Sequence, residues 1–421
     1  MNATQGVIGK NIDPNKPIHI IGAGISGLLL GYFLKKEGFN FTIYEKEKNI
    51  GGKIGTKKNK YGLAEKAANA IFTNDDVIEL LDEIKLSYYP SAKKLKKIIW
   101  RKNKIFSPPV RPWEMIKLIP RLFKRPPSSY DMSVYNFFEP FLGKELCSEV
   151  LAPVMAGIYA DDIKNLHFLS VFKTTKQYSN YLSFFLELKG RKQKQKSKSM
   201  SVSFEFGMQS FIDKLYSILN DHIKVEKCIE KITDIENTII CTDAQQASDL
   251  TKEYPTFSNL LAQISYSQIT TATLITKKEI SFLKQAFGIL FPPTSSQFNS
   301  LGILSNSEIF PKRVYQNSHS YTFILKGTNH IEEKIEKDLS TLGQHQLNQQ
   351  FECLESSSWP RAIPRYNLER YQAIQKLSAE LAQKDISLAF FGNYTGNISI
   401  REILSSAKSF SQQLVLLNNS Q

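Results

Sequence analysis

Short apolar runs, punctuated by glycine and by charge, divide the chain into elements. Residues 17–21, Pro-Ile-His-Ile-Ile, predict a buried strand. Residues 22–27 predict a glycine turn, 28–36 a helix that Gly38 ends, and 39–44 a second apolar strand. A further helix is expected over 212–219 and a strand over 223–226. The longest apolar stretch, 25–34, holds Ser26 and Gly27 and stops at Lys35 and Lys36. It is shorter than the roughly 20 residues that span a bilayer. No internal repeat is visible.

The first elements carry chemistry. Gly22, Ala23, Gly24, Ile25, Ser26 and Gly27 form a Gly-x-Gly-x-x-Gly turn between strand and helix, and the second strand ends at Glu45. That order is what a dinucleotide-binding unit requires. Gly22 permits the tight turn, Gly24 lets backbone approach a diphosphate, and Gly27 lets helix and strand pack closely. The diphosphate faces the positive end of the helix, and Glu45 can accept hydrogen bonds from ribose hydroxyls. Lys46 follows directly. A second glycine pair, Gly51-Gly52, then precedes Lys53. A glycine pair placed just after the ribose acid resembles FAD enzymes of the amine-oxidase type more than NAD dehydrogenases.

Composition narrows the class. The chain has 421 residues, 42% hydrophobic and 22% charged, which excludes a disordered or collagen-like chain and allows two or three domains. The four cysteines are far apart, so neither a zinc ribbon nor a disulfide framework is expected, and a reducing cytoplasm fits. Residues 1–16 are polar and lack an apolar signal core. His167, His222 and His319 have no partner at ligand spacing, so no metal is expected. Ser356–Ser358 lack the glycines of a nucleophile elbow.

The net charge of +14 is regional. Residues 93–125 hold twelve Lys/Arg against one acid, Glu114, and residues 189–198 hold six basic residues and no acid. Either these stretches are a solvated face, or they dock to anionic lipid or ligand. Trp100, Ile105, Phe106, Trp113, Ile116, Leu118, Ile119, Leu122 and Phe123 interleave the first stretch, as an interfacial surface requires. No nucleic-acid motif accompanies them.

Five later segments narrow the reading further: the loop element 152–161, Phe206-Gly207-Met208 with its following helix, Phe287-Gly288-Ile289-Leu290-Phe291-Pro292, Trp359-Pro360 with Ile363-Pro364-Arg365-Tyr366, and Phe391-Gly392 through Ile400. In this order the chain resembles the oxygen-using, FAD-dependent protoporphyrinogen oxidases, from about residue 17 to residue 414. The resemblance implies an α/β protein. Its FAD-binding, Rossmann-like domain of the two-dinucleotide-binding-domain type is built from discontinuous segments, beside a mixed-sheet substrate domain and a helical membrane-contacting domain. The expected boundaries are a tail at 1–16, FAD-binding parts at 17–88, 201–255 and 366–421, a mainly helical basic part at 89–200 and a substrate domain at 256–365.

The resemblance also implies roles. Lys66, Ala67, Ala68 and Asn69 would lie along the flavin, Ile229 at the adenine end, and Gly392, Ile398, Ser399 and Ile400 at the isoalloxazine. Phe287, Gly288 and Leu290 would form one wall of the porphyrinogen site and Ile324 the opposite wall. Lys97 stands where the family usually has an arginine for a substrate propionate, with Lys96 or Arg101 as other choices of register. No general base is assigned, because the pyrrole lone pair already favours hydride departure. The implied reaction is oxidation of protoporphyrinogen IX with O2 as acceptor. Coproporphyrinogen III oxidation, an amine-oxidase or desaturase-type flavoenzyme and a non-catalytic FAD-bound partner of haem assembly are the alternatives. A cytoplasmic protein, peripheral on the inner face of a membrane, is expected, and a homodimer stays open.

Overall fold

The computed structural model describes residues 6–9, 12–193, 199–234, 236–315, 317–345, 351–396 and 398–418. The first elements form where the apolar pattern places them, as strands Ile18–Ile21 and Phe41–Tyr44 around the helix Ile25–Lys36. These strands sit inside a six-stranded sheet whose order is Val7–Ile8, Leu388–Phe390, Thr238–Ile240, Ile18–Ile21, Phe41–Tyr44 and Ile223–Lys224. All neighbours are parallel except the Val7–Ile8 edge. Distant segments of the chain therefore build one sheet. Residues 1–16 are more than a tail: Val7 and Ile8 pair with Phe390 and Ala389, and Ile12 is buried in the core.

Both faces of this sheet are covered, as its mostly apolar strands require. On one face the helices Ile25–Lys36, Gln209–Leu219 and Ile400–Asn418 share a core containing Leu29, Phe211 and Phe410. On the other, Ala244–Leu250, Pro255–Ala262 and Leu368–Leu381 enclose Phe257, Leu377 and Phe390.

The second sheet has seven strands, in the order Cys353–Pro364, Tyr266–Thr276, His319–Lys326, Ser300–Ser305, Ala286–Leu290, Lys96–Arg101 and Lys104–Phe106. It is mixed, because Ala286–Leu290 pairs parallel with Lys96–Arg101 while the other pairs are antiparallel. This corrects the expectation of a mainly helical part beginning at 89. Residues 96–106 are strands, with Ile98 and Trp100 packed on this sheet's core and Lys97 and Ile99 on the other face.

From Pro112 the chain is helical. Helices Val134–Leu142, Phe168–Phe172 and Tyr181–Gln193 meet in an aromatic cluster where Phe137 stacks on Phe168 at 3.9 Å. Residues 152–159, expected as a loop, form the helix Ala152–Tyr159, ended by Ala160 in the left-handed region at φ 52°. Pro153, which has no backbone N–H, lies just after the widened π-helical turn Cys147–Leu151 inside one continuous helical run. The short helix Pro112–Leu118 and the turn Pro120–Phe123 bury none of their residues. Among the described residues no helix is long and apolar enough to cross a membrane.

Candidate active site

The glycine turn leaves the Ile18–Ile21 strand at Gly22, whose φ of +106° a side chain would resist. Gly24 is the extended N-cap of the Ile25–Lys36 helix and supplies no side-chain cap. The free N–H groups of that first turn are an anion site in waiting. A Cβ placed on Gly24 would meet nothing within 4 Å, whereas one on Gly27 would lie 2.0 Å from the Gly22 carbonyl oxygen. The first glycine therefore faces open space and the second faces packed backbone. Gly51 N donates to Ala23 O at 2.9 Å, laying the second glycine pair against the first.

Glu45 is 9% exposed, and both its oxygens accept backbone donors: Oε2 from Ala23 N at 2.9 Å and Oε1 from Glu47 N at 3.0 Å. These bonds fix the carboxylate at the end of the sheet. Ala23 is thus a donor to Glu45 and, like Gly27, does not line the space beyond.

That space is a cavity of about 980 Å³. Gly22, Gly24, Ile25, Ser26, Glu45, Lys46, Gly51, Gly52 and Lys53 line its near side, Ile229 and the segment 227–231 one end, and Trp359, Gly392 and Asn393 the other. Lys53 Nζ donates to the carbonyls of Arg361 and Ala362 in the Cys353–Pro364 strand and lies 5.5 Å from the Tyr266 ring centroid. Burial pushes its ammonium down to about 8. Sequence reasoning missed Asp243, which caps the Ala244–Leu250 helix, lines the cavity and accepts from Arg361 Nε at 3.1 Å.

Lys66, Ala67, Ala68 and Asn69 do not line this cavity but border its Trp359 end. The Lys66 carbonyl accepts from Trp359 Nε1 at 2.8 Å and Thr271 Oγ1 at 2.6 Å. Asn69 is held by Arg313, which is 1% exposed and pairs with buried Glu65 at 3.2 Å. Burial is the largest influence on both charges, raising the Glu65 carboxyl and lowering the Arg313 guanidinium, and their attraction opposes it. Neither residue stood out in the sequence, since no local pattern marks a pair so distant along the chain.

Ile398, Ser399 and Ile400 also lie off the cavity. Ser399 Oγ accepts from Glu402 N at 3.2 Å and donates to Glu402 Oε2 at 2.8 Å, capping the Ile400–Asn418 helix. The Ile398 side chain packs on the aromatic cluster and Ile400 in the core of the first sheet, so a cofactor would meet backbone here.

On the second sheet Leu290 pairs with Gly302, Gly302 with Ile324, and Ile324 with Thr271. Paired residues share a face, so Ile324 extends the wall of Leu290 and Gly288 instead of standing opposite it. Thr271 and Trp359 place the Lys66 carbonyl over this face. The Ala152–Tyr159 helix covers part of it, and Gly157 would put a Cβ 3.1 Å from Leu290 Cδ2. Phe287 is 38% exposed. Lys97, opposite Gly288, and Arg101 belong to the same face by alternation. Arg101 is 1% exposed and bound to Glu114 at 2.8 Å, Glu145 at 3.0 Å and Glu149 at 3.1 Å, so it is not free for a substrate carboxylate. Lys96 and Lys97 are exposed. Among the described residues no cluster of three metal-ligating side chains occurs.

These features define an α/β protein with a Rossmann-like dinucleotide-binding unit. Residues 20–84 match the family described as an NAD(P)-binding Rossmann-like domain. The chain is 23% identical to protoporphyrinogen oxidase 2, chloroplastic/mitochondrial, of Arabidopsis thaliana, over 93% of this chain and 92% of that protein. It is also 23% identical to coproporphyrinogen III oxidase of Staphylococcus aureus, over 95% and 99%. A candidate protoporphyrinogen oxidase from Exiguobacterium sp. has the same fold, with a TM-score of 0.76 at 15% identity over 96% of this chain and all of that one. The chain is a distant homologue, at 21–23% identity over nearly its whole length, of proteins named protoporphyrinogen oxidase.

Proposed function

We propose that the protein binds FAD and oxidises protoporphyrinogen IX to protoporphyrin IX, with O2 as acceptor. The observation that carries the cofactor is the glycine turn, open at Gly24, facing a 980 Å³ cavity that also holds the fixed Glu45 carboxylate. Gly22, Gly24 and Ser26 would hold the diphosphate, Glu45 the adenosine ribose and Ile229 the adenine. Backbone at Gly392 and near Ser399 would approach the isoalloxazine, beside the loop of Lys66. The flavin would supply the hydride acceptor. Losing six electrons and six hydrogens, a porphyrinogen requires three such oxidations, each balanced by one O2 reduced to H2O2.

The chain's own part is positioning. Leu290, Ile324 and the face they share give an apolar wall for a tetrapyrrole. With Arg101 consumed by three glutamates, Lys97 is the cation on that wall which fits a propionate. One lysine suits a substrate with two carboxylates better than coproporphyrinogen III, which bears four. The alternative substrate is favoured by the Staphylococcus aureus relative that carries its name. Turnover of both porphyrinogens by purified protein, read as porphyrin fluorescence, decides. A kcat/KM higher for coproporphyrinogen overturns the assignment. No flavin bleaching with either substrate under anaerobic conditions overturns the oxidase reading.

Peripheral contact with an anionic membrane belongs to the same proposal. Trp113, Ile116, Ile119 and Phe123 are each at least half exposed and stand beside Arg111, Lys117, Lys124 and Arg125. This favours docking over a solvated face whose apolar groups turn inward. The second basic stretch adds nothing to the argument, since its residues 194–198 lie outside the described residues.

A further inference from the structure

The segment after the Cys353–Pro364 strand ties three parts of the molecule together. Arg365 Nη1 donates to Asp161 Oδ2 at 2.8 Å, and the Tyr366 carbonyl accepts from His167 N at 2.8 Å; both partners lie in the helical part. The Tyr366 hydroxyl donates to the Asn393 carbonyl at 2.7 Å, and Arg370 Nε donates to the next carbonyl, Tyr394, at 2.8 Å. The Arg370 guanidinium lies 4.1 Å from the Tyr366 ring centroid. Asn393 lines the large cavity. Two consecutive carbonyls, the first belonging to a residue that lines the cavity, are therefore held by a stacked tyrosine and arginine.

Arg370 is 3% exposed, and its Nη2 has no hydrogen-bond partner among the described residues. The groups that bear on its charge are the phenols of Tyr366, Tyr266 and Tyr159, with no carboxylate among them. Burial raises all three phenols above the ordinary tyrosine value, so they remain neutral. A guanidinium keeps its charge under such conditions. Among the described residues it is thus a buried cation paired with no carboxylate, behind the cavity wall. An anion in the cavity would be attracted strongly, because little solvent intervenes.

We propose that Arg370 is a positioning and charge-supplying residue: with Tyr366 it clamps the turn at 393–394, and its unpaired charge raises the reduction potential of the bound flavin. The proposal rests on the flavin reading above. Two-electron reduction places negative charge on the isoalloxazine that the oxidised ring lacks, so a nearby fixed cation favours the reduced form. Tyr366 carries no charge and acts on geometry alone.

The test is the reduction potential of the flavin in purified holoprotein. Arg370→Gln should shift the equilibrium toward oxidised flavin at least tenfold, about 30 mV for a two-electron couple. Arg370→Lys should stay within threefold of wild type at about pH 6 and fall toward the Gln variant as pH rises, because burial lowers the pKa of an ammonium that replaces a guanidinium. Tyr366→Phe should hold the potential yet lose flavin faster on dialysis. Where a variant does not retain flavin, titration of its apoprotein with oxidised and with reduced FAD gives the same quantity, as the ratio of the two dissociation constants. If Arg370→Gln does not fold, Arg370→His compared with wild type at pH 9, where imidazole is neutral, must show the same fall. An unchanged potential in the neutral variant overturns the role of Arg370. A wild-type protein that neither contains nor takes up flavin overturns the cofactor reading itself.

Discussion

At the scale of single residues, the second and third glycines of the turn separate binding from folding. Gly24 opens on the cavity and Gly27 on the Gly22 carbonyl. Gly24→Ala should leave apoprotein Tm near wild type while flavin content falls; Gly27→Ala should lower both, since 2.0 Å is no distance for a Cβ beside an oxygen. Equal losses of Tm in the two variants would contradict this division. Lys53 gives a pH prediction. Burial lowers its pKa to about 8, so its charge, and its attraction for the cofactor diphosphate, is present below pH 8 and fades above. Between about 8 and the model-peptide value near 10.4 the unfolded chain binds more protons than the folded one, so this group alone makes folding more favourable as pH rises. Flavin retention should nonetheless weaken through that window in wild type. Lys53→Arg, which stays charged, should flatten the profile; superimposable profiles would remove Lys53 from the site. The residues were legible to different degrees. Glu45 and the glycines stood in one local motif, whereas Glu65, Arg313 and Arg370 act through partners distant along the chain.

At the scale of elements, the Lys96–Arg101 strand carries two cations with different duties on one face. Lys97 is exposed beside Gly288, and Arg101 joins the sheet to three glutamates. Lys97→Ala should raise KM for the porphyrinogen roughly 2- to 5-fold with kcat unchanged, the scale of an exposed ion pair of up to about 1 kcal/mol. Arg101→Met should instead lower stability by about 3 kcal/mol, because it strips a partly buried carboxylate group of its partner. Denaturant unfolding checks the second and steady-state kinetics the first. A KM effect from Arg101→Met in folded protein at full stability would reverse the assignment. The strand itself was not read from the sequence, because Ile98 and Ile99 are both apolar and both buried and so blur the two-residue period. Nor was its place in the substrate sheet, because the parallel pairing with Ala286–Leu290 joins residues far apart in sequence.

At the scale of the whole molecule, charge and exposed apolar groups combine on one surface. Glu114 accepts from Arg111 N at 2.8 Å and from Arg101, so the Pro112–Leu118 helix is mounted on the substrate sheet with Trp113 and Ile116 outward. Binding to anionic vesicles should weaken as salt rises, since the Debye length falls from about 10 Å at 0.1 M to about 3 Å at 1 M. Charge reversal at Lys117, Lys124 and Arg125 should release the protein with flavin content intact. Arg121 is best left in place, because it donates to the Phe141 carbonyl at 3.0 Å and so supports the fold. Wild type that ignores anionic vesicles at low salt would leave the basic face to solubility alone.

The sequence by itself determined the dinucleotide unit and its acid, because both rest on short-range order: a strand, a turn, a helix and a charge within a few tens of residues. The family resemblance was legible too, but in the order of local segments spread over residues 152–400. It also marked residues 93–125 as a basic stretch with apolar groups among its charges. Tertiary structure alone decided three other things. It gave residues 7–8 an edge in the first sheet and residues 96–106 a place in the second, since strand partners are chosen by packing across the whole chain. Register put Ile324 on the wall of Leu290, because a pleat assigns faces only once the strands are aligned. Burial separated Arg101 and Arg370 from the solvated cations around them. A side chain's exposure and its counter-charges belong to the folded neighbourhood, and no local pattern of residues encodes them.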